Sequence, residues 1–412
     1  MTEIGEIPAD WTTCKFAQIA LTLKGTVPKN LPNIGEGLKI YPYLTADYLR
    51  GKTEKTKYFK IGNGNINKIV KKDEIVLIWD GSSAGEFFIG NEGILSSTMV
   101  KLVFISFDVI PKFIYYYMKG KEDVLKNTVK GSTIPHVSEN SLFNLYILLP
   151  HKLEQHKIAE IIATADEAIQ KVNEEITLTE KLKKGLMQIL LTKGIGHTKF
   201  KMTAIGEMPA EWRTEKISKL GQIVTGGTPS TYEPAYWNGE IPWIASGDVH
   251  QRYIKMARKF ITQEGYLKSN CNLLPIGTVL IALNGQGKTR GLSAILDIEA
   301  VCNQSMAGII PKRDILNSVY LLYHLLNRYA EIRNISGIGR NGLNLEHIGN
   351  IVISCPPLIE QEKIAEIIST IDNKLLLLGH KKDRLERLKK GLMGDLLTGK
   401  VRVKINTSKG ED

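Results

Sequence analysis

HKIAEII occupies His156–Ile162, and its last six letters, KIAEII, return at Lys363–Ile368, 206 positions later in a chain of 412. Other phrases repeat at the same offset. LKKGLM (Leu182–Met187) returns at Leu388–Met393, LLT (Leu190–Thr192) at Leu396–Thr398, and Glu154-Gln155 as Glu360-Gln361. Nearer the front of each half, IGEIPADW (Ile4–Trp11) is echoed by IGEMPAEW (Ile205–Trp212), offset by 201. The chain is a tandem duplication of a unit of about two hundred residues, and the repeat organises every other reading.

The duplicated phrases are helical. Ile158, Ile162, Ala165, Ile169, Val172 and Ile176 step by three and four, and Leu182, Leu186 and Leu190 carry the stripe on. The second copy does the same through Ile364, Ile368, Ile371, Leu375, Leu378, Leu385, Leu388, Leu392 and Leu396, with Lys382 as a polar interruption. Neither run contains proline, while Pro150 and Pro356-Pro357 stand before them as start signals. Each run of about 38 residues predicts a helix of roughly 55 Å at ~1.5 Å per residue. A helix apolar along one stripe alone needs a partner, and the pattern predicts a mutual coiled coil between the two copies. The alternative is two separate amphipathic helices, each packed on its own domain.

The chain carries 54 Lys and Arg against 43 Asp and Glu, a net +11. The surplus is spread as +3 over 1–150, +2 over 151–201, +3 over 202–355 and +3 over 356–412. That distribution suits a partner lying along the molecule, such as duplex DNA, and equally a moderately basic soluble protein. Met1–Asp10 is polar and no apolar run is of membrane-spanning length, so a cytoplasmic protein without membrane association is expected. Cys14, Cys271, Cys302 and Cys355 lie far apart and read as ordinary buried thiols.

The rest of each unit is mixed. Short β-like runs, Glu74–Trp79 and Thr278–Leu283, sit among Gly, Asn, Ser and Thr, and a helical segment follows at Lys112–Lys119 and Asn317–Arg328. The frames agree while their letters differ: KGTVP (Lys24–Pro28) lies under TGGTP (Thr225–Pro229), and GSTIPHV (Gly131–Val137) under GIGRNGL (Gly337–Leu343). The helices therefore look like shared scaffold and the globular parts like two different readers.

Motifs for catalysis are missing. NGQGKTRG (Asn284–Gly291) suggests a phosphate loop, but Ala282 stands where that motif needs its first glycine. No HExxH, GxSxG or carboxylate cluster with metal spacing occurs, and His151 and His156, five apart, do not share a helix face. What remains is a set of polar loops with the side chains that read base edges and phosphates. In the first half the candidates are Lys24, Lys29, Thr45, Arg50, Lys52, Ser82, Ser83, Lys130, Ser132 and Thr133. In the second they are Thr228, Ser230, Thr231, Tyr232, Ser246, His250, Arg252, Asn284, Gln286, Lys288, Thr289, Arg290, Arg340 and Asn341.

TGGTPSTYEPAYWNGEIPWIASGDV (Thr225–Val249), VCNQSMAGIIP (Val301–Pro311), PPLIEQEKIAEIIS (Pro356–Ser369) and the LKKGLM and LLTGK phrases resemble specificity subunits of type I restriction–modification systems. The resemblance covers essentially the whole chain. It implies two α/β (α+β) target recognition domains at 1–150 and 200–355, separated by two long conserved spacer helices that form an antiparallel coiled coil, at 151–199 and, with the C-terminal tail, at 356–412. It further implies a noncatalytic subunit that guides methyltransferase (M) and restriction/translocase (R) subunits to a bipartite double-stranded DNA site. S-adenosylmethionine, Mg and ATP are then expected on those partners, and no cofactor or metal on this chain. The first half departs from the family pattern at LKGTVPK (Leu23–Lys29) and at His151-Lys152. Two other classes compete: an independent methyltransferase or nuclease, whose motifs are missing, and a coiled-coil scaffold that binds other proteins.

Three expectations follow. The two half-sites should differ, because DGSSAGEF (Asp80–Phe87) and NGQGKTRG offer different donors and acceptors. The helix length should set the unread spacer, with a footprint near ~16 base pairs at ~3.4 Å per pair. The tail Val401–Ile405, alternating like a short strand, should dock beside Thr2–Ile7 and bring the termini together.

Overall fold

The computed structural model describes residues 7–27, 39–51, 56–61, 69–129, 135–285, 287–335 and 342–404. The chain divides into two compact units, one formed by Met1–Asn173 with His380–Asp412 and the other by Glu174–Gly379. Each unit therefore owns half of each long helix, Lys152–Lys193 and Leu358–Leu396.

In the first unit Ile75–Ile78 sits inside an antiparallel sheet ordered Ala20–Lys24, Met99–Phe104, Ile75–Ile78, Phe87–Ile89. A central strand is covered on both faces, which is why EIVLIW is apolar without alternation; all four residues Ile75–Ile78 are buried. A second sheet, ordered Tyr58–Ile61, Lys39–Leu44, Gly93–Leu95, Ile69–Val70, contains one parallel pair. Thr12–Lys15 pairs with Tyr146–Leu149 at the base, and the predicted helix forms as Pro111–Lys119.

The second unit repeats this frame. Val279–Ala282 is central in the order Gly221–Thr225, Met306–Pro311, Val279–Ala282, Ser293–Leu296, Tyr253–Ile254. Lys259–Ile261, Trp237–Ile244 and Val301–Cys302 form the companion sheet, and Arg213–Lys216 pairs with Val352–Cys355. Asn317 caps the helix Ser318–Asn327 by accepting the Val319 and Tyr320 amides. Cys271, Cys302 and Cys355 are buried as expected, but Cys14, on an edge strand, is only half-buried.

The repeated phrases meet in space. In the first unit Trp11 Nε1 donates to Glu154 at 3.2 Å; in the second Trp212 Nε1 donates to Glu360 at 2.9 Å. The neighbouring glutamines bind mainly main chain, and Gln361 also donates to the Cys355 sulfur at 3.9 Å. Gln155 donates to the Asp108 and Pro150 carbonyls and accepts the Ile110 amide; Gln361 donates to the Ile315 and Pro356 carbonyls and accepts the Asn317 amide, all at 2.9 Å. Both glutamines are buried, so these bonds replace water that each amide has lost.

Within each unit the two helix segments run antiparallel. Lys389 pairs with Asp166 in the first unit, and Lys183 with Asp372 in the second, each at 2.5 Å. These pairs match at the repeat offset. The inward positions of the first helix alternate by four and three through Ile158, Ile162, Ala165, Ile169, Val172, Ile176, Thr179, Lys183, Leu186 and Leu190, none of them exposed. The second helix does likewise through Ile364, Ile368, Ile371, Leu375, Leu378, Lys382, Leu385, Lys389, Leu392 and Leu396. This is the heptad spacing of a left-handed coiled coil. It corrects two expectations: Leu182 and Leu388 are 56% and 54% exposed. The seam passes instead through Thr179, Lys183 and Lys389, because each lysine finds an aspartate across it.

The tail docks, but not as a strand. Arg402 Nη1 and Nη2 bond both Asp10 oxygens, Arg402 Nε bonds Glu154 at 2.7 Å, and Val403 packs on the same core as Ile7 and Trp11. A bidentate guanidinium–carboxylate contact supplies what a ladder would have supplied. Thr2–Glu6 and Ile405 lie outside the described residues.

Candidate nucleic-acid interface

In the first unit a glycine lets two loops converge. A Cβ on Gly25 would lie 2.0 Å from the Ser96 carbonyl oxygen, so only glycine fits where the chain leaves Ala20–Lys24. Lys24 Nζ then reaches Asp80 at 2.9 Å. The Trp79 and Asp80 amides donate to the Thr98 carbonyl, and Gly81 N donates to Pro135 O at 2.8 Å. Arg50, following a short helix capped by Thr45, donates to Ser83 Oγ at 2.8 Å and to Glu86 at 2.5 Å. Lys24, Thr45, Arg50, Ser82 and Ser83 thus sit on loops linked by these bonds. Lys29, Lys52, Lys130, Ser132 and Thr133 lie outside the described residues.

The second unit builds the matching place from different letters. A Cβ on Gly226 would lie 2.1 Å from the Asn303 carbonyl oxygen, and one on Gly227 2.6 Å from the Asn270 carbonyl carbon. Trp243 Nε1 donates to Gly227 O at 3.1 Å, which holds the glycine pair in line. Thr228 then bonds Gln304, and Trp237 Nε1 donates to Ser230 O. Ser230 and Thr231 are exposed beside Tyr232, which is 96% exposed. His250 Nε2 and Thr289 Oγ1 lie 3.1 Å apart, joining the Ser246–Gln251 turn to the loop of Asn284, Lys288 and Arg290. Gln286, Arg340 and Asn341 lie outside the described residues.

Arg252 is placed differently. Its guanidinium lies 2.5 Å from Asp372, which also takes Lys183 and the Tyr323 hydroxyl at 2.7 Å. Burial alone would raise the Asp372 carboxyl; the bonds from Lys183 and Tyr323 and the Arg252 charge outweigh it and hold it below its ordinary value. Sequence reasoning missed Gln304, Arg258, which faces Asp248 at 3.4 Å, and Lys259, which lies over Trp237 and Trp243. VCNQS stood in a phrase already singled out, so Gln304 could have been found there. Among the described residues no group of three His, Cys, Asp or Glu is placed to hold a metal.

Two copies of one mixed sheet frame, each based on half of an antiparallel helix pair and carrying unlike polar loops, define a two-domain recognition protein. The model of the type I restriction modification DNA specificity domain matches residues 8–180 and again 209–387, and the chain belongs to that family. The chain is 34% identical over 411 residues to the type I restriction enzyme MjaVIII specificity subunit of Methanocaldococcus jannaschii, covering 97% of this chain and 94% of that one. It is 24% identical over 306 residues to the EcoR124I/EcoR124II specificity subunit of Escherichia coli, covering 72% of each. In fold it is similar to the S subunit of a type I system from M. genitalium, with a TM-score of 0.63 at 16% identity over 98% of this chain and all of that one. A structure described as the basis of complex assembly and conformational transition of the type I system aligns with a TM-score of 0.53 over 96% of this chain. The chain is a noncatalytic DNA-specificity subunit. No helix among the described residues is long and apolar enough to cross a membrane.

Proposed function

We propose that each unit reads one half of an asymmetric, split DNA site, and that the helix pair sets the unread spacer between the halves. The observation that carries this is one frame with two chemistries. Where the first unit places Lys24–Asp80 and Arg50–Ser83, the second places Thr228–Gln304 and His250–Thr289. Lysine and arginine donors at these positions in one unit, and hydroxyl, amide and imidazole groups in the other, select different base edges. Mapping modified bases in genomic DNA with and without this subunit tests it. An asymmetric bipartite sequence is expected, and a palindrome overturns the reading.

The partners of this reading are methyltransferase subunits, with a restriction/translocase subunit joining them in the cytoplasm. S-adenosylmethionine, Mg and ATP belong to those partners. Large apolar side chains remain exposed on both helices at repeat-related positions: Leu153 (54%) with Ile359 (68%), and Leu182 (56%) with Leu388 (54%). Paired exposed positions of this kind suit two equivalent docking sites for one kind of subunit. Co-purification with the methyltransferase subunit at two copies per chain is the expected result.

A further inference from the structure

We infer that Arg252 is a positioning residue, whose ion pair with Asp372 clamps the Ser246–Gln251 turn of the second domain to the helix pair. The inference rests on the half-site reading above and names a residue that enforces it without touching a base. Arg252 closes that turn with φ 61° and ψ −51°, a strained backbone conformation that residues with a side chain rarely adopt. In the first domain the turn that leaves the Ala46–Leu49 helix carries Gly51 at φ 85°. Glycine suits that backbone and arginine does not, so the side chain must do something glycine cannot.

Its ion pair with Asp372 explains it. Asp372 belongs to the second long helix, and it also binds Lys183 of the first helix and Tyr323 of the domain's own helix. The first domain has the corresponding aspartate, lysine and tyrosine, with Lys389 2.5 Å from Asp166 and 5.8 Å from the Tyr116 ring centre. In the second domain a strap from the turn itself joins this group. That turn carries His250, which bonds Thr289, so the strap fixes both loops relative to the helices.

The test uses the full chain assembled with its methyltransferase subunits. Methylation is measured on short duplexes bearing the genomically mapped site, with each specified base changed in turn. R252G should melt at or above the wild-type temperature, since glycine relieves the turn. It should lose about tenfold of its discrimination at one half-site and none at the other, and D372N should weaken the same half-site. The double variant should be no worse than the poorer single one, because both remove one link. The proposal is overturned if R252G weakens all duplexes evenly and makes the salt dependence shallower by about one ion, the mark of a phosphate contact. Unchanged discrimination in R252G overturns it too, as does an effect confined to D372N. A wild-type complex without base discrimination refutes the half-site reading itself, and the clamp with it.

Discussion

Arg402 donates Nε to Glu154 Oε1 at 2.7 Å across 248 positions of sequence, and Glu154 is 1% exposed. The same carboxylate accepts from Trp11, and Arg402 lies over that indole at 5.7 Å from its centre. In the second unit Glu360 takes Trp212 and His197, the latter from the segment that leads out of the first helix. The end of the chain therefore supplies to the first domain what a covalent connection supplies to the second. Gly399 and Gly194, at φ 73° and 66°, turn the two helix ends toward those tryptophans.

Removing Arg402 leaves a buried carboxylate with an indole donor and no cation. Arg402→Ala should destabilise the first unit by about 2 kcal/mol, below the usual cost of breaking a buried pair because the arginine itself is partly exposed. Truncation after Lys400 should match it in thermal melting. A truncated chain as stable as the full one would contradict the docking.

His324 should make the fold sensitive to mild acid. Burial, aided by Arg328, lowers its pKa from 6.5 to about 3. Between those values the unfolded chain holds the extra proton, so stability is full above pH 6.5 and falls as the pH drops. The slope is up to about 1.4 kcal/mol per pH unit. Denaturant melts of His324→Gln between pH 6.5 and 5 should be flatter than wild type; equal slopes would place the sensitivity elsewhere.

The exposed leucines should matter for assembly and not for folding. Leu182→Glu with Leu388→Glu should shift the melting temperature by less than about 2 °C, as surface changes do. The doubly substituted chain should no longer co-purify with the methyltransferase subunit. Retained co-purification would move the docking site off this face.

One heptad added to both helices, after Asn173 and after Gly379, keeps the four-three phase and lengthens the pair by about 10 Å. The unread spacer should grow by about three base pairs with both half-sites unchanged. Altered half-sites would show that the helices are not the spacing element.

Much of this architecture is legible in the letters. The repeat identifies the helices, and the apolar runs EIVLIW and TVLIAL lie on the buried central strands Ile75–Ile78 and Val279–Ala282. The seam is legible only halfway, because after Ile176 hydrophobicity points to Leu182 while the heptad continues through Thr179 and Lys183. A lysine belongs inside only where an acid faces it, and Asp372 is 189 positions away. Arg252 is hidden for the same reason: on a polar loop an arginine that binds DNA and one that binds a distant aspartate look alike. The tail is legible as docked and not as to how, since VRVK alternates like a strand while its arginine does the binding.

The two glutamines at the helix starts have a consequence for inheritance. Gln155 and Gln361 grip their domains through three main-chain bonds each, to which Gln361 adds one long contact with the Cys355 sulfur. A grip on carbonyls and amides ignores which side chains its cargo carries. The loops above it are free to drift, and a whole domain can be traded for a foreign one by crossing over within the helices, with the seat already made to fit. New DNA targets would then arise in a single recombination, with the helices left as they were.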